Sequence, residues 1–168
     1  MGAFPAISSA LLIVTALSCL VPSAAAQKED LAIQVCKKTR DFAFCRAAIY
    51  SDPHAPGADR YMLIDIVLRQ AYRNATDTRD YIAAAIKSGG GLKTCLTNYD
   101  KSVETLEGML NDLNSESYYD LDTRSLEVER SASNCGKALR GRSPLPLAKR
   151  NQNMLKLAHI CYLVSKLF

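Results

Sequence analysis

At 168 residues, with 48% hydrophobic side chains, no tryptophan and a formal net charge of +4, the chain is sized for a single globular domain. Positive and negative residues are interspersed rather than blocked, and no recognised nucleic-acid-binding motif occurs, so nucleic acid is excluded as the expected partner. Residues 1–26 carry no charged side chain, so the net charge resides in residues 27–168. Ala10-Leu11-Leu12-Ile13-Val14-Thr15-Ala16-Leu17 is an apolar core of signal-peptide length, too short to span a bilayer comfortably. It ends in Pro22-Ser23-Ala24-Ala25-Ala26, small residues of the kind signal peptidase cuts. We expect residues 1–26 to be a signal peptide removed after Ala26, a membrane anchor being the weaker alternative. Residues 27–168 then form the exported domain, with no membrane contact after cleavage.

Export implies an oxidising compartment, in which cysteines pair. Cys19 leaves with the leader, and Cys36, Cys45, Cys95, Cys135 and Cys161 remain. An odd count leaves one thiol free or paired between molecules. Asn74-Ala75-Thr76 is an acceptor sequon for N-glycosylation.

Almost nothing reads as strand. From Asp30 to Tyr50 the pattern predicts two short helices broken near Thr39 to Asp41, and Ser51-Asp52-Pro53-His54-Ala55-Pro56-Gly57 is a turn. Residues 27–57 are thus an N-terminal helical hairpin, and residues 58–168 an antiparallel four-helix bundle. The first bundle helix is expected from Ala58 to Ser88. Its stripe includes Met62, Leu63, Ile66, Val67, Ala71, Ile82 and Ile86, and irregularity is most expected near Asn74 to Asp77. Gly89-Gly90-Gly91 breaks the chain.

The second bundle helix, Leu92 to Leu113, repeats apolar residues at steps of three and four: Leu92, Cys95, Leu96, Tyr99, Val103, Leu106, Leu110 and Leu113. Asn114-Ser115-Glu116 is short, so the third helix, Ser117 to Leu139, returns antiparallel. It carries Leu121, Leu126, Val128, Ala132 and Cys135 and has the weakest apolar period of the four. After Gly141-Arg142-Ser143-Pro144-Leu145-Pro146 the last helix runs from Leu147 to Leu167. Cys95 near the start of one helix and Cys135 near the end of its antiparallel partner are neighbours in such a hairpin, so a long tie between them is geometrically sensible. Cys161 lies on the apolar side of the last helix, where a buried, inert thiol is expected.

No catalytic constellation emerges. His54 lies in a turn, and His159 and Cys161 stand two apart on a helix, so their side chains diverge. Metal-type cysteine spacing and a phosphate-binding glycine loop are both missing, so no metal and no cofactor is expected. The basic residues Lys137, Arg140, Arg142, Lys149 and Arg150 suit either an acidic partner or a solvated loop, with the loop favoured. On the second bundle helix, Thr94, Thr97, Lys101, Glu104, Thr105, Gly108 and Asp112 lie opposite the apolar stripe. Small hydroxyl residues mixed with a few charges suit close approach of a partner, or an ordinary solvent face.

Ile33-Gln34-Val35-Cys36-Lys37-Lys38-Thr39, Phe44-Cys45, Ser51-Asp52-Pro53, Cys95-Leu96-Thr97-Asn98-Tyr99-Asp100-Lys101-Ser102-Val103 and Lys149-Arg150-Asn151-Gln152-Asn153-Met154-Leu155-Lys156-Leu157-Ala158 together resemble the plant pectin methylesterase and invertase inhibitor family. The opening is most similar to the subgroup that contains the plane-tree pollen allergen. The resemblance covers nearly all of the chain beyond the leader. It implies an all-α bundle with disulfides Cys36–Cys45 and Cys95–Cys135, leaving Cys161 free. It also implies a secreted, monomeric, non-enzymatic inhibitor of the apoplast or, alternatively, the vacuole. Such an inhibitor binds a pectin methylesterase or an acid invertase one to one through bundle helices two and three, without covalent chemistry. The residues offered for that contact are Thr94, Thr97, Lys101, Glu104, Thr105 and Gly108.

Two departures from the family pattern stand out. Gly136-Lys137-Ala138-Leu139-Arg140 replaces the acidic residues that often follow the fourth cysteine, and Ser125-Leu126-Glu127-Val128-Glu129-Arg130 lacks the usual small-residue pattern. A Pro-Lys-Phe motif of some invertase inhibitors is missing, which favours pectin methylesterase as target. A bundle that keeps the scaffold without inhibiting either enzyme is the remaining alternative.

Overall fold

The computed structural model describes residue 2 and residues 29–86, 90–139 and 145–168. The expected leader, Gly89, and Arg140 and Arg142 of the basic cluster fall outside them. The described residues form six helices and no strand: α1 Leu31–Cys36, α2 Phe42–Ile49, α3 Arg60–Ala85, α4 Gly90–Asn114, α5 Leu121–Leu139 and α6 Leu145–Ser165. None of them is long and apolar enough to cross a membrane.

Aspartates start the first three helices. Asp30, Asp41 and Asp59 accept hydrogen bonds from the amides of Ala32, Phe44 and Met62, which would otherwise lack intrahelical partners. Asp30 also accepts from the Gly57 amide at 3.1 Å, which ties the start of α1 to the turn before α3. Asp41 accepts from Lys156 Nζ at 2.8 Å, which fastens the hairpin to α6.

α3, α4, α5 and α6 close a ring in which each packs on the next, while α1 and α2 lean on each other, on α6 and, for α2, on α3. Leu63, Ile64, Leu68, Ile82, Tyr99, Leu106, Met109, Leu121, Leu147 and Met154 fill the centre. Truncating one of them, such as Leu106, to alanine removes about 2–5 kcal/mol of stability. Cys36–Cys45 closes the hairpin, and Cys95–Cys135 joins α4 to α5. At one end, Tyr61, Tyr118 and Phe168 form an aromatic cluster with the Arg60 guanidinium over two of the rings.

Several expectations are corrected. α3 starts at Arg60, ends at Ala85 and runs unbroken through Asn74 to Asp77. Gly90 lies inside α4 rather than in a break. α5 starts at Leu121, four residues late, because Glu116 and Asp120 adopt left-handed backbone (φ 55° and 56°), which a helix cannot continue. α6 begins at Leu145 and ends at Ser165. Met62 and Leu126, placed on apolar stripes by periodicity, are instead exposed. The α5 stripe looked weak because Ser125 and Ser131 occupy buried positions in it. Ser125 satisfies its hydroxyl by donating to the Leu121 carbonyl one turn back.

Candidate functional site

α4 and α5 pack side by side as an antiparallel pair, fixed at both ends. At one end Cys95–Cys135 links them covalently. Toward the other, Arg124 of α5 reaches across to α4, where it pairs with Asp112 and donates from Nη2 to the Thr105 carbonyl at 3.2 Å. Two helices pinned in this way present a rigid outer surface, which lowers the ordering cost of docking.

Of the six residues offered for partner contact, Thr94, Thr97, Lys101 and Glu104 share one exposed face of α4. Thr105 and Gly108 do not join them: both are half-buried, with Arg124 lying over Gly108. Thr97 donates to the Lys93 carbonyl and Asn98 to the Thr94 carbonyl, so the small polar groups are satisfied within their own helix. The exposed surface is mixed in charge, with Lys101 and Glu104 both exposed. The neighbouring α5 adds Thr123 and Arg130, both exposed. Sequence reasoning missed Arg124 as part of this surface. Arg124 acts through a contact made only in three dimensions.

Asn74 of the glycosylation sequon lies mid-way along α3, half-buried, with Oδ1 buried and without a hydrogen-bond partner among the described residues. Cys161 is a buried free thiol beside the Val67 carbonyl. Burial pushes its pKa up to about 12. Among the described residues no group of three or more His, Cys, Asp or Glu side chains is placed to hold a metal ion.

The family model described as plant invertase/pectin methylesterase inhibitor matches residues 30–164. The chain belongs to that family. Among characterised members, it is 27% identical over 163 residues to the "Pectinesterase inhibitor" of Actinidia deliciosa, covering 93% of this chain and 88% of that protein. It is 32% identical over 90 residues to the "Cell wall / vacuolar inhibitor of fructosidase 2" of Arabidopsis thaliana. That second match spans 49% of this chain and only half the length of the relative. The bundle superposes on a pectin methylesterase inhibitor from Arabidopsis thaliana with a TM-score of 0.61 at 17% identity, covering 80% of this chain and 93% of that one. A mutant form of an Arabidopsis pectin methylesterase inhibitor gives a TM-score of 0.71 at 18% identity, covering 80% and 94%. At such identity the superpositions establish the shared fold of family members.

Proposed function

We propose that this protein is a secreted inhibitor, not an enzyme, and that its target is a pectin methylesterase, bound one to one and without covalent chemistry. The single observation that carries the target is the full-length similarity to a pectinesterase inhibitor, which extends over 163 residues. The docking surface in this reading is the outer face of the α4–α5 pair, with Thr94, Thr97, Lys101 and Glu104 on α4 and Thr123 and Arg130 on α5. Its support is physical: the surface is exposed and is braced by a disulfide and an interhelical ion pair. Inhibition would follow from steric occlusion of the target's cleft. Residues 1–26 act as the signal peptide in this account, and the apoplast is the site of action.

An acid invertase is the second reading, favoured by the 32% identity to a fructosidase inhibitor over 90 residues. Titration separates the two. Purified, oxidised protein is mixed at pH 5 with a plant pectin methylesterase and, separately, with an acid invertase, and residual activity is followed. Stoichiometric loss of the esterase activity alone is the expected result. Loss of invertase activity alone would transfer the assignment, and loss of neither would remove the inhibitor reading.

A further inference from the structure

The acceptor sequon Asn74-Ala75-Thr76 lies wholly inside α3, whereas the usual place for such a triplet is a surface loop. Asn74 stands at the border of the helix surface, between exposed Arg73 and Asp77 and buried Ala75 and Thr78. Two polar atoms of the sequon are turned inward. Asn74 Oδ1 and Thr76 Oγ1 are both buried, and neither has a hydrogen-bond partner among the described residues. Orphaned polar atoms of this kind cost stability, so packing gives no reason for an Asn and a Thr at these positions.

The amide geometry leaves room for a glycan. Linkage through Nδ2 keeps the Oδ1 carbonyl where it is. The two atoms diverge from Cγ, so an inward Oδ1 aims Nδ2 toward the exposed border. Residues on the same stripe locate that border. Gln70, Asn74 and Tyr81 succeed one another at spacings of four and seven, which puts them on one flank of α3. Gln70 donates to Ser51 Oγ at 2.9 Å, in the turn after α2, and Tyr81 lies under the Arg150 guanidinium of α6. This flank therefore looks toward the hairpin and α6, while α5 lies across the ring from α3.

Thr76 sets the timing. The sequon is defined by a hydroxyl two residues after the Asn. In folded α3 that hydroxyl is buried, so only a chain in which α3 has not formed presents the whole sequon. We propose that Asn74 is N-glycosylated during export, before α3 folds, and that the glycan then stands on the flank of α3 facing the hairpin and α6, away from the α4–α5 surface. In the step, Nδ2 bonds to the anomeric carbon of an oligosaccharide carried on a lipid pyrophosphate. The bond from that carbon to the pyrophosphate breaks, the pyrophosphate leaves with the electron pair, and the amide nitrogen gives up one proton. The proposal rests on the reading of residues 1–26 as a signal peptide.

The test starts from the full chain expressed in a secreting eukaryotic host. Medium and cells are analysed by peptide mass spectrometry after glycan release in heavy-oxygen water, which converts a glycosylated Asn74 to a labelled aspartate. A glycan on Asn74 of the secreted protein is expected, kept in Thr76→Ser and lost in Asn74→Gln and Thr76→Ala. Secreted protein with a bare Asn74 would overturn the proposal. Intracellular protein with residues 1–26 uncut would overturn the export reading and the glycan with it. For timing, unglycosylated protein, oxidised and folded, is incubated with microsomal oligosaccharyltransferase and its lipid-linked donor beside a peptide spanning Tyr72–Arg79. The peptide should be modified at least about tenfold faster, and equal modification would remove the requirement that α3 be unfolded. For placement, NMR spectra of the glycosylated protein and of Asn74→Gln should differ at Gln70–Tyr81 and on α6. Shifts at Thr94–Glu104 would put the glycan on the proposed docking side instead. Circular dichroism checks that the variants keep their helices.

Discussion

The guanidinium of Arg124 occupies the space in which a side chain at Gly108 would begin: a Cβ built on that glycine lies well inside van der Waals contact with Nη2. Two consequences oppose each other in Gly108→Ala. Displacing Arg124 loosens its ion pair with Asp112, which is partly exposed and worth at most about 1 kcal/mol. Replacing a mid-helix glycine by alanine returns about 1 kcal/mol. The two nearly cancel, so the expected change in stability is within about 0.5 kcal/mol, measured by urea unfolding. Inhibition should nevertheless fall, because the Arg124 side chain is pushed into the proposed docking surface. A large loss of stability would mean that Arg124 cannot move.

Lys101 and Glu104 are both exposed and stand one turn apart on α4. Exchanging their charges, Lys101→Glu with Glu104→Lys, leaves the helix and its net charge intact. We expect inhibition of the target enzyme to weaken about tenfold or more while helical content stays constant. Undiminished inhibition by this double variant places the contact on another face.

Much of the scaffold is legible in the residues. Two short helices between Asp30 and Tyr50 are readable from pattern, and α4 announces itself through an apolar period kept along it, whereas the capping role of Asp59 is not, and the pattern begins α3 too early, at Ala58. Legibility fails where tertiary contacts override periodicity. Ser125 and Ser131 are polar yet buried in the α5 stripe, and Leu126 is apolar yet exposed. The late start of α5 rests on left-handed Glu116 and Asp120, residue types with no strong signal for that conformation together. Gly136 read as a departure from the family pattern. In the structure it allows close approach of α6, since a Cβ there would stand 3.2 Å from Asn151 Nδ2. The proposed docking surface was half legible: Thr94, Thr97, Lys101 and Glu104 share a face by helical geometry, but the covering of Gly108 depends on a residue sixteen positions away.

Asn151 is itself held from the other side, where Tyr99 donates its hydroxyl to Oδ1 at 3.0 Å in the core. Thr78 approaches the same phenol without meeting hydrogen-bond geometry. Tyr99→Phe keeps the ring packing and leaves the buried Asn151 oxygen without its donor. The expected cost is about 1–2 kcal/mol, seen as a drop of roughly 3–6 °C in Tm by calorimetry. An unchanged Tm would show that the amide finds another donor.

The two disulfides should differ in weight. Cys95–Cys135 spans a sequence separation of 40 and Cys36–Cys45 one of 9. In the chain-entropy account the longer tie contributes about 4 kcal/mol and the shorter about 2.5–3. Replacing Cys95 and Cys135 by alanine should therefore lower the denaturation midpoint more than replacing Cys36 and Cys45. The second pair of substitutions should instead sensitise Lys37–Asp41 to protease, because the hairpin then relies on the Asp41–Lys156 contact.

Cys161 ties the core to alkaline pH. Its thiol is buried, and its pKa rises from 9.0 to about 12 on folding because burial penalises the thiolate. The folded protein therefore keeps a proton that the unfolded chain gives up between pH 9 and 12, so this contribution to stability is intact below pH 9 and is lost as pH climbs toward 12. Burial raises the Tyr99 phenol as well, which acts in the same direction. Stability should decline above pH 9 by up to about 1.4 kcal/mol per pH unit for each proton retained. Cys161→Ala should flatten that decline without abolishing it, because Tyr99 remains. At pH 8 the native thiol should resist a disulfide exchange reagent and react fully once unfolded, because it is buried and burial disfavours its thiolate. Rapid labelling of the native protein at pH 8, or equal alkaline sensitivity of the alanine variant, would show that Cys161 is reached from solvent.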